Sequence, residues 1–244
     1  MIELRNFSKS YGSREILHGV SFTAPPRSVT ALAGLNGAGK TTVLKAVCSI
    51  HYADGGSVSV NGIDAETDSV KNKAQTGFMS EHADFSLPFT VYELLHFHAA
   101  AVLAESPANV QKDAVFFAAE SCGLCDVFSQ KVKDLSHGLK RRLSLACCLL
   151  KNPSVLVLDE PEAGLDPRQT ADMRSLIAEL SKTKTVLFST HLISEIENLC
   201  SKIIILHNGT VAVDGTKEAL CAQTGSTRLE DAFLRITEHG KGEV

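Results

Sequence analysis

One stretch of the chain has the residue types and spacing of a phosphate cradle. Gly34-Leu35-Asn36-Gly37-Ala38-Gly39-Lys40-Thr41 fits G-x-x-x-x-G-K-[ST], and Thr42 adds a second hydroxyl. Glycines let the backbone curl close to phosphate oxygens and aim its N–H groups inward. A helix starting at Lys40 adds the partial positive charge of its N-terminus. In this pattern Lys40 bridges the β- and γ-phosphates and Thr41 holds Mg²⁺. The plain alternative is a glycine-rich turn with no ligand. The apolar segment 29–33 before the motif and the helical pattern after it favour the cradle.

Two further groups have chemistry to offer. Val155-Leu156-Val157-Leu158 runs straight into Asp159-Glu160. A buried strand ending in two carboxylates delivers both to the edge of the sheet where a phosphate loop lies. There Asp159 would hold Mg²⁺ or its water, and Glu160 would orient and polarise an attacking water. A capping Asp before a helix reads the same way, so the pair gains meaning only beside the cradle. Leu135-Ser136-His137-Gly138-Leu139 opens a helix carrying Lys140, Arg141 and Arg142. Ser136 is a good N-cap, and a helix N-terminus with a hydroxyl and the Gly138 N–H is also an anion site. His96 and His98 stand two apart, which on a helix does not share a face, so they are poor co-ligands for a metal. The single CxxC, Cys122 to Cys125, has no second pair for zinc.

These residues need elements to position them. Segments 2–7 and 20–24 read as strands around a turn at Tyr11-Gly12-Ser13. Segment 29–33 reads as a buried strand, 40–49 as a helix, 57–60 as a strand ending in Asn61-Gly62, and 75–79 as another strand. From about Thr90 to Leu150 the periodicity turns helical, with Leu139, Leu143, Ala146, Cys147 and Leu150 at helical spacing. β/α alternation then returns: strand 155–158, an amphipathic helix through Met173, Leu176, Ile177 and Leu180, strand 185–189, a helix over 192–199, and a hairpin around Asn208-Gly209. One or two short helices and a polar end complete the tail. Strands alternating with helices predict an α/β fold with a mostly parallel core sheet, an N-terminal antiparallel β part and a helical insert. The expected organisation is one domain over 1–236, with a core of 1–89 and 151–215, a helical subdomain over 90–150, and a short helical tail over 216–244.

Composition bounds the setting. The 244 residues carry 24 Lys+Arg against 28 Asp+Glu, a net charge of −4, and 44% are hydrophobic. That balance argues against a protein that coats nucleic acid or anionic lipid by bulk charge. No apolar run approaches the roughly 18 residues that a membrane helix needs, and the first residues lack the apolar core of a signal peptide. The expectation is an intracellular chain whose seven cysteines are mostly small core residues.

The order of these motifs resembles the ATP-binding subunit of an ABC transporter, over about residues 2–236, with the P-loop NTPase fold of that family. Leu135 to Leu139 is similar to the family's signature sequence. By that resemblance, Tyr11 stacks on adenine, and the loop Gly34, Leu35, Asn36, Gly37, Ala38, Gly39, Lys40, Thr41 and Thr42 binds ATP. Asp159 and Glu160 match the Walker B aspartate and the catalytic glutamate; Gly164-Leu165-Asp166-Pro167 resembles the D-loop along a dimer interface. His191 matches the switch histidine that contacts the γ-phosphate. There are departures. Glu81 stands where the family has the Q-loop Gln, and it can still meet Mg²⁺ or water through oxygen. In the signature, His137 replaces a Gly and Leu139 a Gln, while Ser136 and Gly138 remain; Leu35 replaces a common Pro.

The resemblance implies an ATPase that uses ATP and Mg²⁺, with Thr41, Glu81 and Asp159 at the metal. It implies a head-to-tail pair, with a second copy or a paralogue, in which one subunit's cradle faces Ser136 and Gly138 of the other. It also implies an integral membrane subunit, touched through the segment after Glu81 that includes Phe85 to Val91, and a place on the inner face of the cell membrane. No nucleic acid is expected. The competing reading is a non-transport ABC ATPase acting on nucleic acid or the ribosome; such proteins insert long coiled coils or zinc modules or carry two cassettes, none of which is present here. Segments 77–82, 89–93 and 229–234 look like exporter ATPases of drug, sodium or gliding-motility type.

Overall fold

Short runs that are apolar on both faces cannot sit at a surface, and they pair here as a parallel sheet covered on each side. A computed structural model describes residues 1–82, 88–193, 196 and 199–239, the side chains of 238 and 239 excepted. Its larger sheet contains β3 (Val29–Ala33), β6 (Thr76–Met79), β7 (Val155–Leu158), β8 (Thr185–Thr190), β9 (Lys202–His207) and β10 (Thr210–Gly215), in the order β10-β9-β3-β8-β7-β6. All neighbours pair in parallel except the hairpin β9–β10. A second, antiparallel sheet has the order β2-β1-β4-β5, built from β1 (Ile2–Tyr11), β2 (Arg14–Ala24), β4 (Gly55–Val60) and β5 (Ile63–Asp64).

The period-2 alternation of the parallel strands divides the core in two. Leu32, Val155, Val157, Leu187 and Ile204 face the antiparallel sheet, with α1 (Lys40–Val47) between, through Val43, Leu44 and Val47. Ala31, Leu156, Leu158, Phe188 and Ile203 face the opposite way. There they meet α6 (Pro167–Ser181) and the helices α3 (Val91–Val102), α4 (Ala108–Ser121) and α5 (His137–Leu149). Thr90 caps α3 in a reciprocal box with Glu93. Two further helices, α7 (Lys217–Thr224) and α8 (Leu229–His239), follow β10. The expected fold class is therefore found.

Differences from the sequence reading have local causes. A helix, α2 (Ser69–Gln75), was not expected because its sequence SVKNKAQ has no apolar face. Its buried residue is Asn72, whose amide donates to the Val47 carbonyl and the Ser49 hydroxyl, both at 2.8 Å. β1 runs on to Tyr11 rather than ending near residue 7, because the polar Ser8 to Ser10 still pair across the hairpin and with β4. Half of the helix expected over 192–199, residues 194, 195, 197 and 198, lies outside the described residues, as do residues 85–87 of the segment assigned to the membrane partner and the end of the tail. Among the described residues no helix is long and apolar enough to cross a membrane.

Phe188 is fully buried in the face of the sheet that receives the helices. Phe188→Ala is expected to lower stability by about 3–5 kcal/mol through lost burial and an unfilled cavity, read as a shift in the urea midpoint at unchanged slope.

Candidate active site

Parallel register brings the C-terminal ends of four strands to one edge of the sheet. Ala33 of β3 lies beside Thr190 of β8, Phe188 beside Leu158 of β7, and Leu158 beside Met79 of β6. The next residues along each chain segment are Gly34, His191, Asp159 with Glu160, and Ser80 with Glu81. Residues scattered over more than half the chain thus share one crevice, as expected where strands of an open α/β sheet end. A cavity of about 530 Å³ there is lined by Tyr11, Lys40, Thr41, Glu81, Glu160 and His191, among others.

The loop 34–39 is shaped by close approach. A Cβ on Gly34 would stand 2.5 Å from the Leu206 carbonyl oxygen. Gly39 has φ +100, and a Cβ there would stand 2.5 Å from Leu17 Cδ2. A side chain at Gly34 would push the loop away from the β9 backbone, and one at Gly39 would displace the Leu17 side chain and strain a left-handed backbone. Gly39 is the N-cap of α1 and provides no side-chain cap, so the first-turn N–H groups keep their capacity to bind an anion. The Lys40 side chain is nearly buried, and its Nζ donates to the carbonyls of Gly34 at 2.9 Å and Leu35 at 3.4 Å. The same ammonium lies 3.5 Å from Glu160 Oε1. At the far end of the cavity Tyr11 is half exposed, its ring edge-on to His51 at 5.7 Å.

Glu160 is held at every polar group. Its backbone is left-handed, φ +46, which a non-glycine residue adopts only when its surroundings demand it. Its N–H donates to Ser189 Oγ at 2.8 Å, and that hydroxyl donates to Asp159 Oδ1 at 2.7 Å. Asp159 and Ser189 are both buried. The Glu160 carbonyl accepts from Arg141 Nη2 at 2.7 Å. Its carboxylate faces Lys40 through Oε1 and His191 Nδ1 through Oε2, the latter at 3.0 Å. A carboxylate so placed, beside a phosphate loop, can accept a proton from a water held in the cavity.

Ser136 and Gly138 lie elsewhere. They line a separate pocket with Leu139, Arg142, Leu165 and Gln169. Ser136 is the N-cap of α5, its Oγ accepting from the Leu139 N–H at 3.3 Å. His137, the departure from the family pattern, has Nε2 3.0 Å from the Ala163 carbonyl oxygen. Asp166 caps α6 by accepting from the Gln169 N–H at 2.8 Å, with Pro167 at the first helical position. Cys122 is buried and Cys125 exposed.

The sequence reading missed three contributors. Arg14 lines the cavity beside Tyr11, its partner across the β1–β2 turn; the turn is legible in the sequence, but not that it brings Arg14 to the cavity. Ser189 was read only as the end of a strand, although a hydroxyl in an otherwise apolar buried run, TVLFST, is a signal for a paired polar group. Arg141 reads in the sequence only as one of three basic residues on its helix.

The fold and this crevice define a P-loop ATPase. The ABC transporter family model matches residues 17–163. The chain is 34% identical over 222 residues to the Nod factor export ATP-binding protein I of Burkholderia lata, covering 90% of this chain and 72% of the relative. It is 29% identical over 246 residues to the linearmycin resistance ATP-binding protein LnrL of Bacillus subtilis, covering all of this chain and 77% of the relative. A solved ATP-binding subunit of an ABC transporter superposes with a TM-score of 0.84 at 27% identity, covering 97% of this chain and 99% of that one. The chain belongs to the ABC transporter family, as an ATP-binding subunit. Members of this class hydrolyse ATP to power transport, and they dimerise and work with membrane transport components.

Ser189→Ala removes the hydroxyl that joins the Asp159 carboxylate to the Glu160 N–H. The expected cost is about 1–3 kcal/mol of stability in urea unfolding, since two buried polar groups lose their partner. ATP hydrolysis is expected to fall with it, measured as phosphate release.

Proposed function

We propose that the chain is the ATP-hydrolysing subunit of an exporter, working as a head-to-tail pair beneath an integral membrane subunit on the cytoplasmic face of the membrane. Tyr11 stacks on adenine, the loop from Gly34 to Thr42 wraps the phosphates, and Lys40 meets the β- and γ-phosphates. Glu160 orients and deprotonates the attacking water, and His191 holds the Glu160 carboxylate and contacts the γ-phosphate. Mg²⁺ fits the donors present: the Thr41 hydroxyl and the Asp159 and Glu81 carboxylates are the hard oxygens this cation takes. Bound there, it would neutralise charge on the phosphates.

The observation that carries the pairing is a separation. One cavity gathers the phosphate loop, Glu160 and His191, while Ser136 and Gly138 line another pocket. A second subunit's Ser136 and Gly138 complete the ring of donors around the phosphate. Export is supported by the relatives, one acting in Nod factor export and another in linearmycin resistance.

Glu160→Gln keeps the side chain's size and removes its basicity. The variant is expected to retain ATP and to elute as a trapped dimer in gel filtration. A monomer with undiminished hydrolysis would sink the mechanism.

A further inference from the structure

Arg141 is 4% exposed, and its guanidinium lies among backbone carbonyls rather than beside a paired carboxylate. Nη1 donates to the carbonyl of Glu81 at 2.5 Å, with that of Ser80 at 3.4 Å. Nη2 donates to the carbonyl of Glu160 at 2.7 Å, with that of Ala163 at 3.5 Å. Nε is buried with no hydrogen-bond partner among the described residues. Burying a guanidinium is costly, and where only packing is needed an apolar side chain serves at least as well. What the guanidinium adds is its rigid fork, whose two ends reach separate segments at a fixed spacing.

The segments it joins all line the cavity that holds Lys40 and Thr41. Glu81 follows β6, Glu160 follows β7, and Ala163 begins the turn into α6. The arginine itself belongs to α5, whose first turn holds Ser136 and Gly138. From Ser136 to Arg141 is five residues, about 7.5 Å along a helix that cannot stretch. His137 meets the Ala163 carbonyl from the same helix at 3.0 Å, so α5 grips that turn twice.

We propose that Arg141 is a positioning residue for Glu160: its fork holds the Glu160 carbonyl and the Glu81 carbonyl together, keeps Glu160 in its left-handed backbone conformation, and makes both follow any movement of α5. The inference rests on Glu160 being the group that activates water. Burial draws the Arg141 pKa down, while the charges of Glu81, Asp159 and Glu160 oppose that shift. A guanidinium stays protonated in proteins, and that charge strengthens its hydrogen bonds to the carbonyls.

The test uses the full chain with Arg141→Ala and Arg141→Lys, alone and combined with Glu160→Gln. Turnover is read as phosphate release and affinity by titration with a fluorescent ATP analogue. Arg141→Ala is expected to lower kcat by about 10- to 100-fold, the scale of an ångström's misplacement of a catalytic group, with KM and analogue affinity within about twofold of wild type. Arg141→Lys, which keeps the charge but loses the fork, should recover part of that loss. In single turnovers of the Glu160→Gln background, Arg141→Ala should have no further effect, because a residue acting through Glu160 has nothing left to position. Unchanged kcat, a parallel loss of affinity, or full additivity with Glu160→Gln would each overturn the proposal. If Arg141→Ala lacks a cooperative thermal transition, Arg141→Lys takes the same tests: a kcat loss at intact affinity that vanishes in the Glu160→Gln background supports the proposal. Full turnover in Glu160→Gln alone would instead overturn the reading of Glu160 on which it stands.

Discussion

Four strands, β3, β8, β7 and β6, lie side by side in parallel with both faces buried. The backbone groups of the three interior strands, β3, β8 and β7, have no water to turn to, so each is paired on both sides, and the two-residue alternation of apolar side chains specifies the register. A slip by one residue would swap Val155 and Val157 with Leu156 and Leu158 between two differently shaped halves of the core. That constraint carries the chemistry. Because the strands run the same way, whatever follows each of them arrives at the same edge, and a loop, two carboxylates, a histidine and a glutamate become neighbours.

What the ladder brings together, a smaller set of polar contacts holds still. The Glu160 backbone sits in a conformation that costs a non-glycine residue on the order of 1 kcal/mol or more, and it stays there because both its N–H and its carbonyl are taken. Ser189 serves the N–H and the Asp159 carboxylate with one hydroxyl. Lys40 and His191 each take one oxygen of the Glu160 carboxylate. Protein groups thus orient both oxygens of the Glu160 carboxylate, which is what electrostatic preorganisation requires.

Two of the departures from the family pattern, Glu81 and His137, fall at joints between elements, and the third, Leu35, lies in the cradle itself. Glu81 lines the cavity with its side chain and gives its carbonyl to Arg141. His137 meets the turn at Ala163 that a glycine in its place would leave untouched. Leu35 is exposed on the outer side of the loop, where its carbonyl and not its side chain meets Lys40.

Much was legible in the residues alone. The phosphate loop, the strand ending in Asp159-Glu160 and the alternation of strands with helices are local patterns, each written in spacing within one segment, and they determined the fold class and the family resemblance. Helix α2 was not legible, because its anchor is a buried amide and not an apolar stripe. Nor was the use of Arg141 or Ser189: an arginine in a basic run and a serine at a strand's end have the same composition whether they face solvent or a carbonyl. Only the tertiary structure decided that Glu160 is gripped from three segments at once, and that Ser136 and Gly138 stand outside the cavity holding the loop. Hydrogen bonds between segments far apart in the chain depend on where sheet register and helix packing deliver each group, and no spacing within one segment encodes that.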